Sequence, residues 1–572
     1  MIKEKGTYKC YHKKMRFSLK LFVNVFKKLD DKPLPIESTF KLPSPIPNFS
    51  PGDGFATGNI DLGGLEVCQV SSFNKIWAVL DGGPNNLGAT FYEPSSIPDG
   101  FFMLGCYSQP NNRPLYGWIL AGKCVANEPF SSQSSLAMPT DYSLVWSSES
   151  QKLKQDGGNG YIWFPVAPEG YRATGYVVTN SPQKPLLSKV RCVRSDFTDA
   201  IEVDTWIWGL GKNLNLYESR PKDRGINALG VSTGLFVVQN AGATADMPLI
   251  YCLRNTKNNL SAMPNLSQVK TLIQTYSPRI YFHPNEKYFP SSVNWFFENG
   301  ALLYEKGKET APSPIQPDGS NLPQGGSNDD SYWLDLPPDN SAKDMIKKGN
   351  LEEASAYFHI KPMFGATVTD IAVWVFYPFN GPARAKVGII NVSLGKIGEH
   401  VGDWEHLTLR ISNYDGKLKS VYFSEHSGGQ FINSSDIEFE NGNKPVAYAS
   451  LHGHAFYPKP GLVLQGSGGI GIRNDAAKGK MFMDTGVRPT VIAAEYLSSI
   501  VIEPPWLNYS RKWGPKISYD TAKEINKVRK ALPKFIRGAF DKFVKGLPNE
   551  VLGEEGPTGP KVKNNWSGDE KY

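Results

Sequence analysis

Cysteine is scarce in this 572-residue chain. The six residues Cys10, Cys68, Cys106, Cys124, Cys192 and Cys252 are scattered and form no Cys-x-x-Cys pair. That argues against a structural zinc knot. It leaves two readings of the cysteines, reduced core thiols of an intracellular protein or disulfides. Charge is sparse too: 20% of residues are charged, and the net +7 is spread thinly. Such a balance is compatible with an anionic surface but is no nucleic-acid signature, so no nucleic-acid partner is expected. No window approaches 18 apolar residues, which excludes a helix crossing a membrane. HExxH is absent, so a zincin is not supported, and no activated nucleophile stands out. The one leader-like stretch, MRFSLKLFVNVFKKLD (15–30), is interrupted by Lys20 and Asn24 and lacks a small-residue cleavage site. It reads as an expendable arm or as a basic amphipathic helix lying on a membrane surface. The expected location is therefore cytoplasmic or peripheral to a membrane, with secretion unsupported.

Turn-formers and aromatics are plentiful: 55 glycines, 43 prolines and 12% aromatic residues. Together they predict a mainly β chain of many short strands. Residues 1–53 read as a basic, then proline-rich N-terminal arm. Residues 54–255 read as a repeated β-module. Within it YEPSSIPDGFFMLG (92–105) is echoed by WFPVAPEGYRATG (163–175), and the glycine pairs Gly100/Gly105 and Gly170/Gly175 lie 70 residues apart. A proline-fixed turn feeding a glycine bend and a strand, met twice, predicts a β architecture built from similar units. MPNLSQVKTLIQT (263–275) carries helical spacing at Leu266, Val269, Leu272 and Ile273 and marks the junction of the halves. Residues 265–515 read as a β-sandwich-like domain, with PSPIQPDGSNLPQGGSNDDS (312–331) as a long surface loop. Residues 516–572 read as a helix, within YDTAKEINKVRKAL (519–532), and an extended arm.

Seven of the eight histidines fall between His283 and His454. The densest cluster is GEHVGDWEH (398–406). Read as a strand, alternation puts Asp403, Glu405, Leu407 and Leu409 on one face and Trp404, His406, Thr408 and Arg410 on the other. Two carboxylates two positions apart repel, and both stay ionised only beside a compensating cation. His400, Asp403 and Glu405 form a mainly oxygen ligand set that suits Mg²⁺ or Ca²⁺, with Mn²⁺ next. The competing readings are a satisfied polar cluster and a metal-free catalytic dyad. Glu425 and His426 in SEHSGG, His452 and His454 in LHGHAFYP, and also His283, Trp404 and His406, are candidate supporting or head-group contacts. GSGGIG (466–471) fits a dinucleotide fingerprint only superficially, because a poor helix start follows it.

The order AVWVFYPFNGP, HVGDWEH, FSEHSGG, AYASLHGHAFYP resembles the core of the necrosis- and ethylene-inducing-peptide-like cytolysins, whose heptad is Gly-His-Arg-His-Asp-Trp-Glu. The resemblance places that family's cation-holding histidine, aspartate and glutamate on His400, Asp403 and Glu405, its tryptophan on Trp404, and its upstream aspartate ligand near Asn380. It implies a divalent cation that helps to recognise a lipid head group. Here Asn380 is a neutral amide and Gly402 stands where the second histidine would be, which points away from cytolysis. The echoed units and VRCVRSDF (190–197) resemble the adaptor-binding β repeats of vacuolar-sorting lipid-transfer proteins and imply a protein-binding module. From about residue 40, IPNFSPGDGFATGNIDLGGLEV, YFHPNEKYFPSSVNW and EEGPTGPKVKNNW are similar to the plant vacuolar-protein-sorting 62 family.

These readings converge on a peripheral protein of vacuolar or vesicular trafficking. It is expected to recognise a membrane lipid head group or a sorting-related protein partner through a divalent-cation site. The alternatives are a metal-assisted hydrolase, with His426 or His454 as base, and a membrane-damaging, cytolysin-related protein.

Overall fold

The computed structural model describes residues 35, 37–52, 54–125, 134–211, 214–239, 249–426, 428–467, 469–515, 520–547 and 556–570. The leader-like stretch 15–30 lies outside the described residues. The fold is mainly β, in many small sheets with a few short helices.

The N-terminal echo is two parts of a threefold pattern. Three similar sheets contain Ala89–Pro94, Tyr161–Val166 and Asn215–Pro221 as inner strands. Each unit's following bend accepts a backbone hydrogen bond from another part of the repeats: Arg191 N–H donates to Met103 O (3.0 Å), Tyr251 N–H to Ala173 O (3.1 Å) and Leu120 N–H to Thr233 O (3.0 Å). Gly100 and Gly170 both hold positive φ, +81° and +80°, as a turn needing glycine requires. Gly105 and Gly175 meet each other: a Cβ on Gly105 would lie 2.9 Å from Gly175 Cα. The third unit has Leu235 at this position, and its Cδ1 fills the space the two glycines leave. The third copy escaped sequence comparison because its glycine is a leucine. The five described cysteines are free thiols, four of them buried.

Helix α1 (Leu266–Tyr276) follows, where its spacing predicts it. Asn265 and Gln268 form a capping box, and Val269, Leu272 and Ile273 are buried. The second half is organised by β1 (Ala356–Met363), β2 (Val368–Asn380), β3 (Arg384–Val387), β4 (Ile390–Ser393), β5 (His400–Ser412), β6 (Leu418–Glu425), β7 (Gly428–Asn433), β8 (Gly461–Ser467), β9 (Ile470–Ala476) and β10 (Pro489–Ala493), then helices α2 (Thr521–Ala531) and α3 (Arg537–Val544). One six-stranded sheet runs β7-β6-β5-β2-β1-β10, and a four-stranded sheet runs β4-β3-β9-β8.

All of β2 is buried, because both faces of the sheet are covered. Val373, Val375 and Tyr377 join Leu407, Leu409 and Ile411 of β5 in a core shared with α1 and a second sheet layer that includes Ile280, Ala447 and Met483. Ala372, Trp374 and Phe376 face the other way, into a tryptophan-rich core with Trp404, Trp506 and Trp513. Part of the expected loop 312–331 is anchored here: Ile315 and Leu322 are buried, and Ser313–Pro314 pairs with Leu302–Leu303. Two apolar side chains suffice to hold a polar stretch on the surface of a core.

The C-terminal segment lies along the far end of this second face. Trp566 stacks on His359 (3.8 Å between centroids). Lys361, fully buried, donates to the carbonyls of Asn565 (2.8 Å) and Gly568 (3.2 Å). Asp569 bridges Arg410 (2.6 Å) and Arg224 (2.8 Å), and Arg410 also pairs with buried Asp370 (2.7 Å). A charged network thus ties the N-terminal repeats, the large sheet and the chain's end. Each charge in it has a partner, as burial demands.

Candidate functional site

The sequence-predicted residues separate by strand face. Gly402 takes φ +67°, and a Cβ there would lie 2.2 Å from the Trp513 carbonyl oxygen. Glycine is therefore required where β5 bends. Beyond the bend the alternation holds: Asp403 and Glu405 lead into the buried Leu407 and Leu409. Trp404 lies on the opposite face, stacked on Trp506 at 5.5 Å. His406 is on that face too, stacked on Trp374 (4.5 Å) and held by Glu570 (3.0 Å) and Asn565 (3.0 Å). Trp404 and His406 therefore belong to a different environment from the two carboxylates.

Around Asp403 the chain brings together the ends of β2 and β5 with the loops near residues 286 and 453. His454 Nδ1 faces Asp403 Oδ2 at 3.1 Å, and its Nε2 faces the Tyr288 carbonyl at 3.1 Å. Both ring nitrogens thus face oxygen atoms. The ring is fully buried and lies flat on Tyr377, 3.8 Å away at 7°. Burial pushes the Asp403 carboxyl up, but the His454 hydrogen bond and the charges of His400 and His454 outweigh it, and Asp403 is held below its usual range. Burial lowers His400, against the pull of Asp403.

A parallel pair stands beside it. Glu286 Oε1 accepts from the N–H groups of Lys287 (2.8 Å) and Tyr288 (3.0 Å) and faces His452 Nδ1 (3.1 Å), while Oε2 accepts from His452 N–H (2.7 Å). Despite burial, these contacts and the charge of His454 bring Glu286 down to about 2. Glu405 Oε2 accepts from Ser424 Oγ (2.9 Å). Burial pushes Glu425 up to about 7, partly offset by Gln430. His426 Nε2 meets Asn474 Oδ1 at 2.9 Å. His283 Nδ1 accepts from Asn285 N–H at 3.1 Å, and burial lowers its affinity for a proton. His426, His452 and His454 all sit at positive φ, +57°, +69° and +56°, a region where histidine is tolerated but uncommon.

The expected cation ligands do not converge. Among the described residues no three His, Cys, Asp or Glu side chains form a group that could hold a metal ion. Asp403 is engaged by His454 and Glu405 by Ser424. Asn380 directs its amide N–H groups to the carbonyls of Gly381 (3.1 Å) and Gly398 (2.7 Å). In this arrangement Asp403, Glu405 and Asn380 thus each hold a protein partner. The partner that Asp403 finds is instead a histidine 51 positions along the chain, which no local spacing could reveal. The geometry also bears on acid–base chemistry. Both nitrogens of His454 are engaged, so a substrate would reach either one only by displacing a protein partner.

Sequence reasoning missed Glu286, Tyr377 and Ser424 at this rim, and Asp569 and Glu570 at the chain's end. Glu286 and Tyr377 lie within stretches quoted for family likeness, but isolated residues there carry no spacing signal.

Among the described residues no helix is long and apolar enough to cross a membrane. Comparison with solved structures finds GNIP1Aa from Chromobacterium piscinae, 16% identical over 36% of this chain and 40% of that one, with a TM-score of 0.26. It also finds Necrosis and Ethylene inducing Protein 2 from the causal agent of cocoa's Witches Broom disease, 11% identical over 33% and 67%, with a TM-score of 0.19. At such scores neither likeness carries an argument. A 216-residue stretch is 25% identical to vacuolar protein sorting-associated protein 62 of Saccharomyces cerevisiae, covering 32% of this chain and 44% of the yeast protein, so the match spans less than half of that relative. The family described as vacuolar protein sorting-associated protein 62 matches residues 36–570, and the chain belongs to it.

Proposed function

We propose that this chain serves vacuolar or vesicular sorting as a peripheral recognition protein, and that the rim around Asp403 takes a hydroxyl-bearing lipid head group. The family's description supports the sorting role. One observation carries the rim: His400 Nδ1 and Tyr377 Oη, both buried without a hydrogen-bond partner, flank the ionised Asp403. A buried polar atom left unpaired costs about 1–3 kcal/mol, so a group that satisfies it binds favourably. Hydroxyls both donate and accept, and can therefore serve Asp403 and its neighbours together. His454 Nδ1 already faces Asp403 Oδ2 at 3.1 Å, so this reading does not require a divalent cation.

The test is flotation of the full chain with zwitterionic vesicles with and without a neutral glycosylated sphingolipid. Wild type is expected to select the glycosylated lipid over plain phosphatidylcholine, and folded Asp403→Asn to lose the selection. Equal selection by folded variant and wild type removes the rim from the account.

A further inference from the structure

Helices α2 and α3 bury one side in a small core. Val528, Leu532, Ile536 and Phe540 pack against Ala385, Val387, Val392 and Leu394 of the β3–β4 hairpin. Their remaining faces look outward. Lys523, Lys527 and Lys530 recur at spacings of four and three, one side of α2. Lys534 opens the turn after it, and all four are exposed. Lys542 and Lys545 on and beside α3 are exposed as well. Lys527 reaches Glu524 at 3.8 Å, and Arg529 pairs with Asp541 at 2.8 Å. The other five exposed lysines have no ion pair among the described residues. Between the helices Phe535 stands 79% exposed, next to Lys534 and close to Ala531 and Gly538, which are exposed too.

We propose that this face docks on an anionic lipid bilayer. A row of lysines matches a negatively charged leaflet, which attracts basic groups near its surface. The bare phenylalanine decides between a bilayer and a soluble polyanion. An aromatic ring gains by entering the interfacial zone of a membrane, whereas a soluble polyanion gives it nothing to bury against. The surface is independent of the Asp403 rim: it needs charge in the leaflet and no particular head group.

The experiment is co-sedimentation of the full chain with phosphatidylcholine vesicles with and without phosphatidylserine, at low and high salt. Wild type is expected to bind only the phosphatidylserine vesicles and to release in high salt. Each basic group near an anionic leaflet is worth about fivefold in partitioning. Lys530→Glu/Lys534→Glu is therefore expected to bind at least about 25-fold less well. Phe535→Ser is expected to lose roughly tenfold at low salt, from the apolar burial of one aromatic ring. All three side chains are solvent-facing, so thermal melting should be unchanged, and it is measured as the control. Asp403→Asn should bind phosphatidylserine vesicles as wild type does, which separates a failure here from a failure of the rim. Absence of phosphatidylserine-dependent binding, or wild-type binding by both lysine and phenylalanine variants, overturns the proposal. So does capture by heparin that Phe535→Ser leaves intact, with no capture by vesicles, because the face would then serve a soluble polyanion.

Discussion

Glu286→Gln is the perturbation whose size follows most directly from the structure. The carboxylate is buried, accepts three backbone N–H groups and faces the His452 ring. Its acid dissociation falls to about 2 from the usual 4.5. At about 1.4 kcal/mol per pH unit, that gap contributes about 3 kcal/mol to stability at neutral pH. Glutamine keeps the shape but loses the charge, and it turns an N–H₂ toward groups that themselves donate. The folded value lies below the unfolded one. The contribution is therefore complete above about pH 4.5 and vanishes as pH falls through about 2. Urea unfolding followed by tryptophan fluorescence, for wild type and variant from pH 7 to pH 2, measures it. The expected stability difference is about 3 kcal/mol at pH 7 and shrinks toward zero at pH 2. A difference that stays constant with pH, or is absent at pH 7, refutes the reasoning.

Three further substitutions probe the frame. Asp569→Asn takes one of two carboxylate partners from each of Arg410 and Arg224, which keep Asp370 and Glu202. The loss is expected to cost about 1–3 kcal/mol, read as a lower urea midpoint. Gly402→Ala puts a Cβ against the Trp513 carbonyl at a positive φ, with an expected cost of at least about 2 kcal/mol, read as a drop in melting temperature. Gly105→Ala sets a methyl group against Gly175 and Leu235. It should destabilise the N-terminal repeats by about 1–3 kcal/mol, seen as faster hydrogen exchange there and unchanged exchange in β2 and β5.

Much of the fold was legible because its signals are local. Helix α1 shows in the spacing of Val269, Leu272 and Ile273, and the face alternation of β5 shows in the switch from Asp403 and Glu405 to Leu407 and Leu409. Two of the three repeats were visible through paired glycines. The third was hidden because Leu235 fills the axis where the others have glycine. The site was only half legible, for a related reason. Alternation correctly demands a countercharge for Asp403 and Glu405, but the chemistry is silent on its source. A metal and a distant imidazole satisfy the same local pattern. Alternation puts His406 on the face opposite the two carboxylates, and there it meets Glu570, a partner no local spacing names. No local pattern announces that the last residues of a chain will cover a sheet.

The account stands on the contact between His454 Nδ1 and Asp403. Nitrogen-15 resonances of the histidine rings, with His454 assigned by comparison with His454→Gln, report the protons on each nitrogen. We expect Nδ1 of His454 to carry the proton that meets Asp403 in the folded chain, and its signal to stay unchanged when Mg²⁺ or Ca²⁺ is added. A bare Nδ1, or a ring that gives up its proton as the ion is titrated in, contradicts it.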